Sequence, residues 1–341
     1  EERIMTEMTV LNGVAIEELL TIPMAAEAVE QAYLEKSKGD AALWPMVFHE
    51  FDPGHADLDI KSGDLGGLGF YGLKVVSWFG ANPGKGLPAL YGTSLLFDLA
   101  TGAPRALLNA GPITDFRTGA AGAIGAKYLA RPDAETLLMA GTGALAPYLI
   151  AATLYLLPQI KTVYVTNPHH PECSAAACEA ITPQVEKLLS GCGGCRAAIA
   201  AAPDLEKAVR HSDVILTATP ARNPFIKAKW VQPGTHISCV GADMSGKQEV
   251  DSTLFASAKV FGDDTAQCLS VGECEVPYKA GVFSGHICEI GGVISGAEAG
   301  RTDASDITIF DSTGIALQDI ATAAALLQAA QETGKGQTVT L

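Results

Sequence analysis

From residue 136 onward, short apolar runs alternate with helical segments, and this alternation constrains the fold more than any other feature of the sequence. The apolar runs are TLLMAG, TVYVTN, RAAIAA, DVILTAT, THISCVGA, KVFGDD and ITIFDSTG. Helices are predicted between them over 144–157, 173–190 and 204–210, and after the last of them over 315–332. Nearly continuous apolar strands that alternate with helices are typical of a parallel sheet covered on both faces. The sequence therefore predicts an α/β domain with a doubly wound parallel sheet.

The turn after the first of these strands has the pattern G-x-G-x-x-A, formed by Gly141, Thr142, Gly143, Ala144, Leu145 and Ala146. In Rossmann domains the first glycine permits a tight turn, and the second lets a pyrophosphate approach the backbone. The small residue at the last position lets the helix pack closely on the strand, and the helix N-terminus faces the phosphates. Glycines also occur in plain turns between a strand and a helix. The surrounding strand–helix alternation favours a dinucleotide site.

The end of the second strand does not distinguish NAD from NADP. NAD sites usually place Asp or Glu there, whereas NADP sites place Arg. The segment VYVTNPHHPE instead places Asn167 at this position. His169 and His170 follow, either as contacts for a 2′-phosphate or as solvated loop residues. The predicted cofactor is therefore NAD(H) or NADP(H), with both left open.

The first third of the chain has a different pattern. Apolar residues at helical spacing over 14–38 predict a pair of amphipathic helices that ends near Gly39. From 44 to about 110, the runs WPMVFHEF, GLKVVSWF, ALYGTSLLFDL and RALLNA predict antiparallel strands with hairpins, for example at 98–102. The Ala-rich segment from Thr114 to Ala130 predicts a helix, with Thr114 and Asp115 as N-terminal caps. This part is predicted to be a mixed α and β domain.

Composition limits the classes of partner. A chain of 341 residues with 48% hydrophobic and 18% charged residues is long enough for two domains. The net charge of -15 argues against a nucleic-acid partner, which needs clustered Lys and Arg. The longest apolar run, at 145–158, contains two prolines and falls short of the roughly 20 residues that span a bilayer, so no membrane partner is expected. The segment EERIMTEMTV does not resemble a secretory signal, and a cytoplasmic location is expected.

The eight cysteines are expected to be reduced thiols, because the chain is large and has no predicted secretory signal. Together with Cys173 and Cys178 upstream, Cys192 and Cys195 supply the four ligands that a zinc site needs, but their spacing is irregular. Packing is the preferred interpretation, and no metal is predicted.

Four segments, in the right order, resemble the ornithine cyclodeaminase and mu-crystallin family: FRTGAAGAIGAKYLARPDAETLLMAGTGALA, DVILTATPARNPF, GTHISCVGADMSGKQEVD and ITIFDSTGIALQD. The resemblance covers nearly the whole chain. It implies a substrate-binding and dimerisation domain at 1–116 with 312–341, completed by the C-terminal helix, and a Rossmann domain at 117–311. It also implies a homodimer that moves hydride between nicotinamide and the α-carbon of an amino or imino acid.

The resemblance assigns roles to three charged residues. Lys74 and Arg117 match the positions that bind the substrate carboxylate, a role that suits a bidentate guanidinium and an ammonium beside it. The structural alternative is that Lys74 is a surface charge at a strand end and that Arg117 pairs with Asp115 at a helix terminus. For Lys74, which lies between Leu73 and Val75 in a predicted strand, burial toward a site is the preferred interpretation. Asp243 matches the aspartate that cyclodeaminases use as general acid and base, and its structural alternative is to cap the SGK turn. Positions near the cofactor are implied for Thr93, Thr118, Asn167, Thr217, Thr219, Val240 and Ser312.

Two positions depart from the family pattern. Met46 stands where many relatives carry an arginine. Lys61 stands where ornithine cyclodeaminase has the acidic residue that binds the distal amino group, if the segment contains no insertion. A cation there would repel an ornithine ammonium. Lys61 either replaces the missing arginine on the α-carboxylate or holds a second carboxylate.

The sequence thus favours an NAD(P)-dependent oxidoreductase of a small amino acid or its imine or keto acid, of the alanine dehydrogenase or imine reductase type. Hydride transfer would occur at the α-carbon, with Lys74 and Asp243 as catalytic residues and Lys61, Lys74, Arg117 and Met46 around the substrate. One alternative is a cyclodeaminase that releases ammonia from ornithine or lysine, which Lys61 disfavours. Another is a non-catalytic nicotinamide-dependent ligand-binding protein like mu-crystallin, which Asp243 disfavours.

Overall fold

A computed structural model describes residues 6–341, and the chain forms two compact units. The first consists of the residues up to 117 together with 315–341, and the second of residues 118–314. The sequence analysis placed these boundaries after 116 and before 312. Its expectation for EERIMTEMTV concerns in part residues 1–5, which lie outside the described residues.

The first unit begins with a strand, two helices and a series of strands. Their bounds are β1 (Glu7–Leu11), α1 (Gly13–Leu19), α2 (Ile22–Lys38), β2 (Ala41–Leu43), β3 (Val47–Asp52), β4 (Ala56–Leu65), β5 (Phe70–Phe79), β6 (Leu90–Asp98) and β7 (Pro104–Asn109). Helix α3 (Ala110–Leu129) follows, and the boundary between the units falls within it, after Arg117. The two predicted helices over 14–38 are present. The side chains of Asn12 and Thr21 cap their N-termini, and Gly39 ends α2 in the left-handed conformation.

Helix α3 begins four residues earlier than predicted, at Ala110, so the prediction of Thr114 and Asp115 as caps was wrong. Thr114 lies inside the helix, where its hydroxyl donates to the carbonyl oxygen of Ala110 at 2.7 Å. The oxygen of the Asn109 side chain instead accepts from the amide of Gly111 at 2.9 Å. Gly111 and Pro112 lie in the first turn of this helix, which tolerates proline because its N–H groups have no intrahelical partner.

The second unit alternates strands and helices as predicted. Their bounds are β8 (Thr136–Ala140), α4 (Ala146–Leu156), β9 (Thr162–Thr166), α5 (Ser174–Leu189), β10 (Ala198–Ala201), α6 (Leu205–Arg210), β11 (Val214–Thr217), β12 (His236–Cys239), β13 (Lys259–Gly262), α7 (Thr265–Val271), α8 (Glu275–Lys279), β14 (Cys288–Glu289), α9 (Ile290–Ser295) and β15 (Thr308–Asp311). The sheet is parallel, in the order β10-β9-β8-β11-β12-β15-β13-β14. The order reverses between β8 and β11, the kind of switch point at which doubly wound sheets bind ligands.

The chain then returns to the first unit with α10 (Ala316–Thr333) and β16 (Gln337–Thr340). The first sheet has the order β16-β1-β7-β6-β5-β4-β2, and β3 also pairs with β4. All its pairs are antiparallel except β1 with β7. Helix α10 packs on α2 and on strands β4 and β5. The α+β domain completed by the C-terminal helix is therefore present.

Strands β1, β2, β4, β14 and β16 and helices α7, α8 and α9 were not predicted from the sequence. Strand β4 was not recognised because Asp57, Asp59 and Lys61 occupy the face that usually carries apolar side chains. They alternate along the strand with Leu58 and Ile60, which lie on the other face. Within residues 6–341, no helix has the length and apolar character needed to cross a bilayer. The same residues contain no group of three or more side chains placed to hold a metal ion, and the eight cysteines are free thiols.

Candidate functional site

The glycine turn of the second unit lies between β8 and α4. Gly141 has a φ of 133°, and a Cβ there would lie 2.5 Å from the carbonyl oxygen of Ala218, so only glycine fits. At Gly143, by contrast, a Cβ would meet no atom within 4 Å. Helix α4 begins at Ala146 without a side-chain cap. Open space over Gly143 and an uncapped helix N-terminus fit a pyrophosphate group.

Asn167 follows β9 directly, and its side chain forms hydrogen bonds with the glycine turn and with its own loop. Its side-chain NH₂ donates to the hydroxyl of Thr142 at 3.1 Å, and its side-chain oxygen accepts from the amides of His169 and His170. These bonds tie the end of β9 to the glycine turn. The imidazole of His170 lies 3.4 Å from the carboxylate of Glu172, and both are exposed.

Glu249 joins the carboxyl ends of β11 and β12, and the sequence analysis did not single it out. Its carboxylate accepts from the Thr217 hydroxyl at 2.7 Å, from the Thr219 amide and hydroxyl at 2.7 and 2.8 Å, and from the Gly241 amide at 3.0 Å. Burial raises the pKa of Glu249 to about 7, against the opposing effect of these hydrogen bonds. Its partners lie up to 32 positions away, so no local pattern reveals it.

The other positions implied for the cofactor have varied surroundings. The hydroxyls of Thr217 and Thr219 are directed to Glu249. The amide of Val240 donates to the carbonyl of Thr217, and that of Ser312 to the carbonyl of Cys239, both at 2.9 Å. Thr118 is buried in α3. Thr217, Val240 and Ser312 thus lie at the carboxyl ends of neighbouring strands, where this class of sheet binds ligands.

Asp243 lies in the loop after β12, where its carboxylate accepts a hydrogen bond from the ammonium of Lys247. Its side chain is 52% exposed, whereas that of Lys247 is 15% exposed. The loop is held in place because a guanidinium nitrogen of Arg222 donates to the carbonyl of Ser245 at 3.1 Å. The pair with Lys247 connects Asp243 to the SGK turn. The catalytic role of Asp243 stays a prediction.

The first unit contains a buried charge cluster on β5, α3 and α10. One carboxylate oxygen of Asp319 accepts from the Lys74 ammonium at 2.9 Å and from the Arg117 Nε at 3.2 Å. Lys74 and Asp319 are each 3% exposed, and Arg117 is 7% exposed. A second guanidinium nitrogen of Arg117 donates to the side-chain oxygen of Gln318 at 3.0 Å. The sequence analysis identified the two cations, and it quoted Gln318 and Asp319 only as part of a family segment.

Burial and the neighbouring charges have opposite effects on the pKa values of Lys74 and Asp319. Burial lowers the pKa of Lys74 to about 8, although the nearby Asp319 carboxylate opposes this change. Burial favours a higher pKa for Asp319, but Arg117 and Lys74 together hold it below its ordinary value. Near neutral pH the cluster thus contains two cations and one anion, an arrangement suited to a further anionic ligand.

The strand register places the remaining candidates of this unit. Lys61 is directly opposite Lys74, and Ser94 is opposite Lys74 on its other side, so the three side chains project from one face. Thr93 is exposed and lies on the opposite face, which separates it from this cluster. Met46 precedes β3 and is also exposed.

A parallel sheet whose order reverses beside a glycine turn defines the class of dinucleotide-binding α/β proteins. Residues 6–334 match the model of the ornithine cyclodeaminase/mu-crystallin family. The chain belongs to this family, and the resemblance inferred from the four segments is confirmed.

Three solved structures are similar to the whole chain. An archaeal alanine dehydrogenase dimer with bound NAD is 35% identical, with a TM-score of 0.85, and the match covers 98% of this chain and 99% of that one. The iminosuccinate reductase of Paracoccus denitrificans in complex with NAD+ is 31% identical, with a TM-score of 0.88 and coverages of 98% and 100%. The Thermococcus litoralis Delta(1)-pyrroline-2-carboxylate reductase in complex with NADH and L-proline is 31% identical, with a TM-score of 0.86 and coverages of 97% and 100%.

Proposed function

We propose that the protein is a nicotinamide-dependent oxidoreductase that acts on a small amino acid or on its imine or keto acid. The observation that carries this proposal is the buried cluster of Lys74, Arg117 and Asp319, in a chain whose relatives are NAD-binding dehydrogenases and reductases. Two buried cations that share one carboxylate oxygen have donors left for a substrate carboxylate. The substrate is thus an organic acid, and its α-carbon is the site of hydride transfer.

The second unit would hold the cofactor. Residues 141–146 and the N-terminus of α4 would bind the pyrophosphate, and Asn167 would lie near the adenosine ribose. When bound, a nicotinamide dinucleotide accepts or supplies the hydride. Thr118, Thr217, Thr219, Val240 and Ser312 remain proposed contacts, and the open space at Gly143 supports this placement. Because Asn167 carries no charge, NAD and NADP both remain candidates.

Asp243 would exchange a proton with the substrate nitrogen or with water. An exposed carboxylate on a held loop can do so without first leaving a buried site. Lys247 donates to this carboxylate and holds it in position. Lys74 would orient the substrate carboxylate, so that binding and proton exchange are assigned to different residues.

Lys61 makes cyclodeamination of a diamino acid the weaker candidate. It is opposite Lys74 on the same sheet face, so the neighbourhood of the carboxylate cluster gains a positive charge. The terminal ammonium of ornithine would be repelled there. A non-catalytic role as a nicotinamide-dependent binder would leave Asp243 without a task.

The proposal is tested by NADH and NADPH oxidation with pyruvate, oxaloacetate or glyoxylate plus ammonia. We expect turnover of at least one keto acid, and we expect Asp243→Asn to lower kcat by about 10²- to 10⁴-fold. Asp133→Asn, at an exposed aspartate of the same unit, is the matched control and should retain wild-type activity. No turnover of any keto acid, or wild-type kcat in Asp243→Asn, would overturn the proposal. Proline formation from ornithine without change at 340 nm would instead establish a cyclodeaminase.

We also infer that the protein forms a homodimer through an apolar edge of the first sheet. This apolar edge consists of exposed residues on β3, at the end of β5, at the start of β6 and in the segment before β6: Val47, Phe48, Phe51, Phe79, Leu87, Leu90 and Tyr91. Strand β3 pairs only with β4, so its other side is an open edge, which proteins normally cover. The dimeric state of the archaeal alanine dehydrogenase supports this inference.

The eight free thiols fit the reducing conditions of the cytoplasm.

A further inference from the structure

Asp319 occupies a special position among the charged groups of the first unit. It comes from α10, 245 residues after Lys74 and 202 residues after Arg117, yet one of its oxygens contacts both. Its second oxygen is buried and has no hydrogen-bond partner in the part of the chain that the structure describes. The two cations therefore converge on a single atom.

Two buried cations beside one another require a compensating charge. Without an anion, burial and mutual repulsion both favour loss of the Lys74 proton, because the guanidinium of Arg117 keeps its own proton and charge at ordinary pH. Lys61, opposite Lys74 on β4, adds a third positive charge that acts in the same direction. Asp319 supplies this negative charge next to Lys74 and Arg117. Asp115 is a further carboxylate, and the charge of Arg117 acts to lower its pKa.

The neighbours of Asp319 fix its geometry. Gln318, the residue before it, accepts from Arg117 at 3.0 Å and donates from its NH₂ group to the Tyr33 hydroxyl at 2.8 Å. Tyr33 is buried on α2, so α10 is held between α2 and the cluster. Lys74 also directs an N–H toward the hydroxyl of Thr114 at 3.4 Å. Two of the three ammonium protons are thus directed to groups within the protein, which fixes the position of the ammonium.

We propose that Asp319 is a positioning residue that keeps Lys74 charged and aims Lys74 and Arg117 together at the substrate carboxylate. This inference rests on the proposed function, because it concerns the same carboxylate-binding cluster. Asp319 acts through the two cations and takes no part in proton exchange with the substrate. It thereby makes the last helix of the chain part of the substrate site.

The test is the pH dependence of kcat/KM for the keto acid. Burial places the pKa of Lys74 at about 8, so kcat/KM in the wild type should decline as pH rises through this value. Asp319→Asn removes the negative charge, and we expect the decline to begin at least one pH unit lower. Asp319→Glu keeps the charge and should restore the position of the decline, with a higher KM. Lys74→Arg should abolish this decline, which separates it from titration of ammonia.

A charge-matched control lies on the same helix. Glu332 is exposed near the end of α10, where it accepts from Gln328, and Glu332→Gln should leave the pH profile unchanged. A folded Asp319→Asn variant with the wild-type pH profile would overturn the proposal, even if its activity were lower. Such a result would mean that Asp319 only supports packing.

A measurement on the wild-type protein covers the case in which Asp319→Asn does not fold. The pH dependence of the ¹³Cε chemical shift of Lys74, assigned by comparison with Lys74→Arg, gives the protonation midpoint of this buried group without requiring access of a reagent. We expect a midpoint of about 8 for Lys74. A midpoint below 7, or one at the ordinary lysine value of 10.5, would overturn the proposal. This titration needs no substrate, so it tests the charge of Lys74 beside Asp319 even if the proposed function fails.

Discussion

At the scale of single residues, the same side chain has different chemistry in different surroundings. Asp319 is buried between two cations, and they keep its pKa below the ordinary value despite burial. Asp311 is also buried, but burial raises its pKa to about 7 and the neighbouring Asp263 acts in the same direction. Asp243 is half exposed beside Lys247. Of these three aspartates, Asp243 is the one with access to solvent, which is why the proposed proton exchange is assigned to it.

His236 makes the stability of the protein sensitive to acid. It is fully buried between the hydroxyls of Thr308 and Ser238, and burial lowers its pKa from 6.5 to about 3. The unfolded chain binds the proton at a higher pH than the folded chain does. The free energy of unfolding should therefore fall as pH drops below 6.5, by about 1.4 kcal/mol per pH unit from this group.

This expectation is measured by urea unfolding between pH 7.5 and 4.5. His236→Gln lacks the titrating group, so its free energy of unfolding should depend less steeply on pH, although the variant is less stable overall. His211→Gln changes an exposed histidine and should keep the wild-type slope. Equal slopes for His236→Gln and the wild type would show that His236 does not carry the effect.

At the scale of elements, the two glycines of the β8–α4 turn have different roles, Gly141 in folding and Gly143 in the proposed cofactor binding. Gly141 has a positive φ and no space for a side chain, whereas Gly143 has open space above it. We expect Gly141→Ala to cost roughly 2 kcal/mol of stability or more, because a strained backbone and a backbone contact act together. Gly143→Ala should keep the wild-type Tm and raise the KM for NADH about tenfold, since a methyl group would occupy the proposed pyrophosphate position.

Thermal unfolding and cofactor kinetics on the two variants check this expectation. A Gly143→Ala enzyme with the wild-type KM for NADH would place the pyrophosphate elsewhere. A Gly141→Ala protein as stable as the wild type would contradict the strain at that turn.

Elements with a regular apolar pattern were predictable, and those without one were not. The central strands β8, β11 and β12 of the second unit are buried on both faces, so their apolar runs stand out in the sequence. Strand β4 instead carries Asp57, Asp59 and Lys61 on one face, and its alternation was not recognised. The start of α3 was misplaced because Gly111 and Pro112 usually interrupt helices, but here they lie in its first turn.

At the scale of the whole molecule, the apolar edge of the first sheet should determine the oligomeric state. Phe51 stacks on Phe79 with a centroid separation of 5.9 Å, and both are exposed. A charge at this position would be desolvated in an interface, so Phe51→Glu should weaken dimerisation at least 100-fold. Sedimentation velocity at micromolar concentration should then show a dimer for the wild type and a monomer for the variant.

Val14→Glu provides the control, because Val14 is an exposed apolar residue of α1, outside the apolar edge. It should remain dimeric. A monomeric wild-type protein, or equal dissociation of both variants, would refute the proposed interface.

The sequence by itself determined the class of fold, the glycine turn and the family, because each follows from a local pattern or from motifs in a fixed order. The resemblance to the family then pointed to the two cations Lys74 and Arg117. Only the tertiary structure revealed Asp319 against both cations, Lys61 opposite Lys74, and Glu249 across the ends of β11 and β12. These contacts join residues that lie far apart in the chain. Their electrostatic effects depend on burial and distance, which strand order and helix packing set and no local pattern encodes.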